Sequence, residues 1–233
     1  MQISAIQELT LLDYPGKLAA IIFTAGCNMR CGYCHNSQFV LPEKIKKIQS
    51  SFIPFAVIEN FLKQRKKKLE AVVITGGEPT MQPDLSSIIK KIKKLGLLVK
   101  LDTNGTNPAL IEKLLKNKQI DYLAMDLKAS LARYSELTKF SDTEKIKKSI
   151  NLIKNSTINY EFRSTLVPGF HTTEELEKMG TLLQGASLWC LQNFRNTSVL
   201  DEKFLKQRSF TERQLEELKN HLKKYVKKIE IRS

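Results

Sequence analysis

Short apolar runs alternate with amphipathic stretches along most of this chain. Lys17-Leu18-Ala19-Ala20-Ile21-Ile22-Phe23-Thr24 is a nearly continuous apolar run, the kind buried on both faces of a parallel sheet. Residues 54–68 then read as a helix with apolar positions at Val57, Ile58, Phe61 and Leu62. From there the alternation is regular. Strands are predicted over 71–75, 97–102, 122–127, 160–166 and 187–191, and helices over 84–95, 108–117, 143–154, 173–184 and 211–228. The helix over 84–95 carries Leu85, Ile88, Ile89 and Ile92 on one face and stops at Gly96, and the one over 108–117 has proline in its first turn. Residues before Leu12 have little pattern, and Asp13-Tyr14-Pro15-Gly16 is a turn. The stretch between the first strand's loop and residue 54 reads as a polar, lysine-bearing connection.

Strands joined one after another by helices imply parallel pairing through right-handed crossovers. An open doubly wound sheet and a full or partial barrel share this pattern. In either, polar residues at the carboxyl ends of the strands line the site. Here these are the loop from Cys27, then Thr75-Gly76-Gly77-Glu78, Asp102-Thr103-Asn104, Asp126 with Lys128, and Arg163. Their convergence on one rim points to an enzyme. The length of 233 residues suits a single domain spanning 1–233, with a core over about 13–195 and a helical extension over 196–233.

Composition changes this picture little. No apolar run is long enough to span a bilayer, and the start lacks a basic segment followed by an apolar one, so neither a membrane protein nor a secreted one is expected. The net charge of +14 invites a nucleic-acid reading. Its excess, however, is mostly lysine on helix faces, in runs such as Arg65-Lys66-Lys67-Lys68 and Lys90-Lys91-Ile92-Lys93-Lys94, which is the usual signature of solvation. Three of the four cysteines fall within eight residues, Cys27-Asn28-Met29-Arg30-Cys31-Gly32-Tyr33-Cys34, which no disulfide scaffold would produce. A reducing, cytoplasmic setting is expected.

Three thiols at spacings of four and three are ligands for a metal centre. Zinc with His35 as a fourth ligand is one occupant. Structural zinc sites usually pair their ligands in two separated knuckles, whereas one compact loop leaves a corner open, as an iron–sulfur cluster with a substrate site does. Gly76-Gly77-Glu78-Pro79 lets a ligand approach the backbone and adds a carboxylate. Asp102 and Asp126 would repel unless a cation or ammonium lay between them; otherwise they cap the segments after their strands. Lys128 and Arg163 suit a ligand carboxylate, or serve as salt-bridge partners. Cys190 reads as a small buried hydrophobe, His171 as a solvated loop residue and His221 as structural or exposed.

The spacing Cys27-x-x-x-Cys31-x-x-Cys34 with Tyr33 before the last cysteine, joined to Gly76-Gly77-Glu78-Pro79, resembles the radical S-adenosylmethionine superfamily. Asp13-Tyr14-Pro15-Gly16, Gly26-Cys27-Asn28-Met29-Arg30-Cys31, Cys34-His35-Asn36, Asp102-Thr103-Asn104-Gly105 and Asp126-Leu127-Lys128 are similar to glycyl-radical-enzyme activating proteins, most of all those of anaerobic ribonucleoside-triphosphate reductase. The resemblance covers about residues 13–169. It implies a partial (β/α)6 barrel of parallel strands with outer helices, and a [4Fe–4S] cluster on Cys27, Cys31 and Cys34 whose fourth iron takes the amine and carboxylate of S-adenosylmethionine. The implied reaction is reductive cleavage to methionine and a 5′-deoxyadenosyl radical, which takes a hydrogen atom from a glycine of a partner enzyme. Reduced flavodoxin or ferredoxin is the implied electron donor.

By the same resemblance, Gly76, Gly77, Glu78, Asp102, Thr103, Asp126, Lys128 and Arg163 bind the cofactor, Tyr33 lies beside its adenine, and a monovalent cation sits near Asp102 and Asp126. The chain lacks the extra ferredoxin-type cysteines of many related activators, so one cluster is expected, and Gln192-Asn193-Phe194-Arg195 stands where some activators have a cofactor-touching histidine. Two other readings are a radical enzyme acting on a small molecule or RNA base, as in deazapurine formation or tRNA modification, and a zinc-stabilised nucleic-acid-binding module.

Overall fold

The computed structural model describes residues 1–197 and 199–232. Its strands form one sheet in chain order: β1 (Ile3–Thr10), β2 (Ala19–Thr24), β3 (Ala71–Gly76), β4 (Leu98–Thr103), β5 (Tyr122–Asp126), β6 (Asn159–Leu166), β7 (Trp189–Asn193) and β8 (Ile229–Arg232). From β2 to β8 every neighbouring pair is parallel, while β1 runs antiparallel to β2. β1 and β8 end the order without pairing each other, so the sheet stays open. This is the partial barrel of six parallel strand–helix units, with one strand added at each edge.

The helices are α1 (Pro42–Ile48), α2 (Phe55–Arg65), α3 (Leu85–Lys94), α4 (Pro108–Lys116), α5 (Tyr134–Thr138), α6 (Thr143–Lys154), α7 (Thr173–Leu182) and α8 (Glu212–Leu222). Each long crossover helix turns an apolar stripe onto the sheet. On α3 the buried set is Leu85, Ile88, Ile89 and Ile92, the spacing expected of a helix facing a core. Each such side chain contributes about 1.5–3 kcal/mol on burial. Asn107 starts α4 by accepting the Leu110 amide at 3.2 Å, with Pro108 in the first turn.

Because successive strand side chains point to opposite faces, each strand splits its residues between two environments. Ala20, Ile22, Val72, Ile74, Val99, Leu101, Leu123, Met125 and Phe162 pack with the helices in the main core. Between them, on the inner face, lie a small apolar cluster that includes Tyr14, Ile21, Val73 and Tyr122 and, further along, the charged residues Lys100, Asp102, Asp126, Glu161 and Arg163. The Asp13-Tyr14-Pro15-Gly16 turn closes the floor of this face: the Asp13 carbonyl accepts Lys100 Nζ at 2.5 Å, and the Tyr14 ring lies 5.7 Å from that of Tyr122.

Four stretches depart from the sequence reading, one of them the short α5, which no predicted helix covers. The weakly patterned start is β1, an edge strand whose outer half is exposed, so no clear alternation marks it. The last helix stops at Leu222, and the chain turns through Tyr225 to make β8, which is too short to show periodicity. The polar connection after the cysteine loop contains α1, none of whose residues is buried.

Candidate active site

The carboxyl ends of β2 to β6 meet in a cavity lined by the cysteine loop, the Gly76–Pro79 segment, Asp102 to Asn104, Asp126, Lys128 and Arg163. The three thiols Cys27, Cys31 and Cys34, together with Tyr33, Glu78 and Thr103, are part of that lining. All the residues singled out at the strand ends therefore share one space.

The loop leaves β2 and is held by its own backbone. The Cys34 amide donates to the Cys31 carbonyl at 3.0 Å, and the Met29 amide donates to Cys27 Sγ at 3.4 Å. Arg30 closes the first turn with Nη1 on the carbonyls of Cys27 at 2.7 Å and Met29 at 2.8 Å, while its amide bonds the Thr138 carbonyl at 2.8 Å. Asn104 Nδ2 approaches Cys27 Sγ to 3.9 Å and donates to Asn28 Oδ1 at 2.9 Å. From the far side, the amides of Leu200 and Asp201 both donate to the Gly32 carbonyl at 2.9 Å. A Cβ on Gly32 would meet the Phe204 ring at 2.4 Å, so glycine is what lets this segment seat on the loop.

Gly76 and Gly77 have a packing reason of their own. A Cβ on Gly76 would lie 2.4 Å from the Thr24 backbone, and one on Gly77 would lie 2.1 Å from the Gly26 carbonyl oxygen. The Gly77 amide donates to Thr24 O at 2.8 Å and the Glu78 amide to Gly26 O at 2.7 Å, binding this segment to the lead into the cysteines. With those amides spent, carbonyl oxygens are the lone-pair groups this backbone retains for a ligand. Glu78 itself is fully buried and turned inward. Its Oε1 accepts Thr80 N at 3.0 Å, Thr80 Oγ1 at 2.5 Å and Thr103 Oγ1 at 2.7 Å, and its Oε2 accepts Asn104 N at 2.6 Å. Burial raises its pKa, with these donors opposing. Glu78 and Thr103 thus tie the ends of β3 and β4 together.

The positive charge between Asp102 and Asp126 is Arg163. Its Nη1 bonds Asp102 Oδ2 and its Nε bonds Asp126 Oδ1, both at 2.9 Å. Lys128 Nζ takes the other Asp126 oxygen at 2.9 Å. Burial pushes the Asp126 carboxyl up, but Arg163 and Lys128 outweigh it and bring it to about 2. Burial likewise works against the charge on Lys128, and Asp126 with the neighbouring Tyr33 and Cys31 holds its pKa well above normal. Asp102 Oδ1 is buried without a hydrogen-bond partner among the described residues and lies 3.7 Å from Lys100 Nζ.

The donor set fits a cluster with one open iron. Burial pushes the Cys27 thiol up to about 11 and that of Cys31 to about 12, and raises Cys34, while Lys128 lowers all three. Buried thiolates therefore need a bound cation's charge. No further cysteine or histidine is among the described residues lining the cavity. Among the described residues no three histidine, cysteine, aspartate or glutamate side chains are drawn together as a single bare ion requires. A zinc ion would hold all three sulfurs at about 2.3 Å, whereas a cubane spreads them over separate irons.

His35 is engaged elsewhere, with Nε2 2.6 Å from the Arg195 carbonyl. Cys190 lies on the inner face of β7, buried and 3.5 Å from Glu161 Oε2. His171, expected to be solvated, is instead 1 % exposed, because it fills a turn between two strand-end loops. His221 is half exposed and pairs with Glu177 at 2.7 Å. Sequence reasoning placed Asn104 at the rim but gave no role to it or to Arg30, and it passed over Lys100, Glu161 and the 199–206 segment. Only the charges at Lys100 and Glu161, set inside apolar strands, carried a usable signal.

Comparison with known proteins agrees with this geometry. The profile of the radical SAM superfamily matches residues 21–183. A Methanocaldococcus jannaschii protein, whose name assigns it as a glycyl-radical enzyme activating enzyme, is 39% identical over 99% of this chain and 95% of its own length. The pyruvate formate-lyase-activating enzyme of Clostridium pasteurianum is 29% identical over 54% of this chain and 52% of its own. A 7-carboxy-7-deazaguanine synthase of Neisseria meningitidis is 32% identical over 50% of this chain and 47% of its own. Among solved structures, SuiB of Streptococcus suis bound to its precursor peptide superposes with a TM-score of 0.70 at 16% identity, over 91% of this chain and 48% of SuiB. The chain thus spans about half the length of SuiB, and that likeness concerns the fold.

Proposed function

The chain belongs to the radical SAM superfamily, and on that premise we propose that it is an activating enzyme that generates a glycyl radical on a partner enzyme, most specifically on an anaerobic ribonucleoside-triphosphate reductase. The observation that carries this reading is the set of three cysteines, without a fourth, beside Lys128 and the Gly76–Glu78 backbone in one cavity. The 39% identity over nearly the whole chain supports the activator over a small-molecule enzyme, since the deazaguanine synthases match at 32% identity over 50% of the chain or at 23% over 76% of it.

When bound, a [4Fe–4S] cluster supplies the electron that cleaves S-adenosylmethionine to methionine, and the hydrogen atom removed from the partner's glycine ends on 5′-deoxyadenosine. Cys27, Cys31 and Cys34 hold the cluster as thiolates. Backbone carbonyls of Gly76 to Glu78 would accept from the methionine ammonium, and Lys128 would pair with its carboxylate. Glu78 and Thr103 act by holding β3 and β4 in register at the rim. Tyr33, which lines the same cavity, would flank the adenine. Arg163 keeps Asp102 and Asp126 fixed as hydrogen-bond acceptors and fills the gap between them, so a monovalent cation near these two carboxylates would have to lie beside Asp102 Oδ1, which accepts no hydrogen bond among the described residues but faces Lys100 Nζ at 3.7 Å.

We read the chain as one domain, supported by the single sheet that runs from β1 to β8. Among the described residues no helix is long and apolar enough to cross a membrane. Free thiols suit the reducing cytoplasm, where reduced flavodoxin or ferredoxin would serve as donor. The test is to mix reconstituted protein, S-adenosylmethionine and reductant with the reductase and follow the partner by electron paramagnetic resonance. A glycyl radical on the reductase is expected. Its absence, with a radical forming instead on pyruvate formate-lyase, would reassign the partner.

A further inference from the structure

The backbone that carries Lys128 is gripped from outside the cavity. His171 sits in the turn after β6, with Nδ1 2.9 Å from the Val167 amide and Nε2 3.0 Å from the Lys128 carbonyl. The Val167 N–H requires an acceptor, so Nδ1 is unprotonated and Nε2–H donates to Lys128. Burial lowers the His171 pKa, which favours this neutral form. Two more contacts lie along the same seam. Glu175, in the first turn of α7, accepts the Ser130 amide at 2.6 Å and the Ser130 hydroxyl at 2.9 Å. The Arg133 guanidinium lies 3.9 Å over the Phe170 ring and donates to the Phe170 carbonyl at 2.9 Å.

Residues 128–133 are therefore fastened to residues 167–175 at three points, and the first of them is Lys128 itself. A lysine side chain has four rotatable bonds and no preferred direction of its own, so where its ammonium rests depends on where its backbone is held. Lys128 Nζ also bonds Asp126 Oδ2 at 2.9 Å.

We propose that His171 is a positioning residue: by holding the Lys128 carbonyl it sets Lys128 Nζ over the cavity, ready for the carboxylate of S-adenosylmethionine. This rests on the reading of Lys128 as the carboxylate contact. Glutamine and asparagine separate the two bonds of the imidazole. A glutamine amide at position 171 reaches as far as Nε2 and can donate to the Lys128 carbonyl, whereas asparagine keeps only an acceptor in the place of Nδ1.

The test uses the full chain, reconstituted with iron and sulfide and left unreduced, and measures S-adenosylmethionine affinity by equilibrium dialysis together with iron per chain. The expected result is unchanged iron in His171→Gln and His171→Asn, affinity within about twofold of wild type for His171→Gln, and a loss of about tenfold for His171→Asn. In a Lys128→Met background, His171→Asn should cost nothing more, because the charge it places is gone. Equal affinities for the two His171 variants, iron loss in His171→Asn, or a His171→Asn loss that persists beside Lys128→Met would overturn the proposal. Wild-type affinity in Lys128→Met alone is a separate result, which refutes the carboxylate contact and with it the premise.

Discussion

The two faces of the sheet carry opposite chemistry, although the same strands make both. Toward the helices, Val99, Leu101, Leu123, Met125 and Phe162 pack at full burial among side chains such as Ile89, Ile111 and Ile150. On the inner face, the residues between them form an alternating run of charge. It starts with Lys128 on Asp126, passes through Arg163 to Asp102, then to Lys100 at 3.7 Å, to Glu161 at 3.4 Å, and ends on Arg232 of β8 at 2.7 Å from Glu161. Apolar packing tolerates volume-conserving exchange and fixes no chemistry. Buried ions tolerate no lone deletion, because each charge depends on its neighbours for compensation. The helix face holds the barrel together; the inner face sets charges at the rim and keeps them there.

The largest effect expected from this division is at the rim. Cys27→Ala, Cys31→Ala or Cys34→Ala should each abolish reductive cleavage of S-adenosylmethionine while leaving thermal unfolding of the metal-free chain nearly unchanged. Cleavage retained in any one of them would break the ligand assignment. Next comes Glu161→Gln, which removes the carboxylate shared by Lys100 and Arg232 and leaves them with Asp102 and Glu230 as their remaining acidic partners. A loss of about 3–5 kcal/mol is expected in denaturant unfolding, accompanied by weaker cofactor binding as Asp102 and Arg163 shift. Leu101→Ala, its counterpart on the helix face, should cost about 2–5 kcal/mol through a cavity, yet leave cofactor affinity of the folded protein as it was. If the two variants affect affinity alike, the faces are not separate in function.

Acid titration sharpens the contrast further. Burial opposes the charge on Asp126 and Glu161, but Arg163 with Lys128 in the first case, and Arg232 with Lys100 in the second, hold each carboxyl at about 2. A carboxyl depressed on folding stabilises the fold fully above its unfolded pKa of about 4, and this contribution is lost as pH falls toward the folded value. The metal-free chain should therefore lose these two contributions to its urea midpoint between about pH 4 and pH 2, below the separate loss from buried, neutral His171 that begins as pH falls past its unfolded value of about 6.5. In Glu161→Gln the lower of these losses should be smaller. The least effect is expected from Cys190→Ala, which should retain iron content and cost roughly 1 kcal/mol or less, since its thiol only approaches Glu161. Iron loss there would show a sulfur ligand on the inner face away from the loop.

Legibility in the sequence followed the same division. The strand–helix alternation could be read because the helix face is made of apolar residues at regular spacing, as on α3, and the buried runs of β2 and β3 are uninterrupted. β1 and β8 escaped notice because an edge strand needs only one covered side and β8 is four residues long. The residues picked at the strand ends do line one cavity, since a parallel sheet sends all its carboxyl ends to one rim. Pairings across the inner face were not readable: Glu161 and Arg232 are seventy-one positions apart. Nor was the burial of His171, because its environment is assembled by two loops whose strands lie side by side only in the folded chain.

The central claim is that three thiols at the rim hold a cluster with one iron open to S-adenosylmethionine. Its most direct test is anaerobic reconstitution with iron and sulfide, reduction, addition of S-adenosylmethionine, and quantitation of methionine and 5′-deoxyadenosine. The account predicts a coloured, iron-loaded protein that releases both products in equal amounts. A colourless, zinc-loaded chain that leaves S-adenosylmethionine intact under reductant would contradict it.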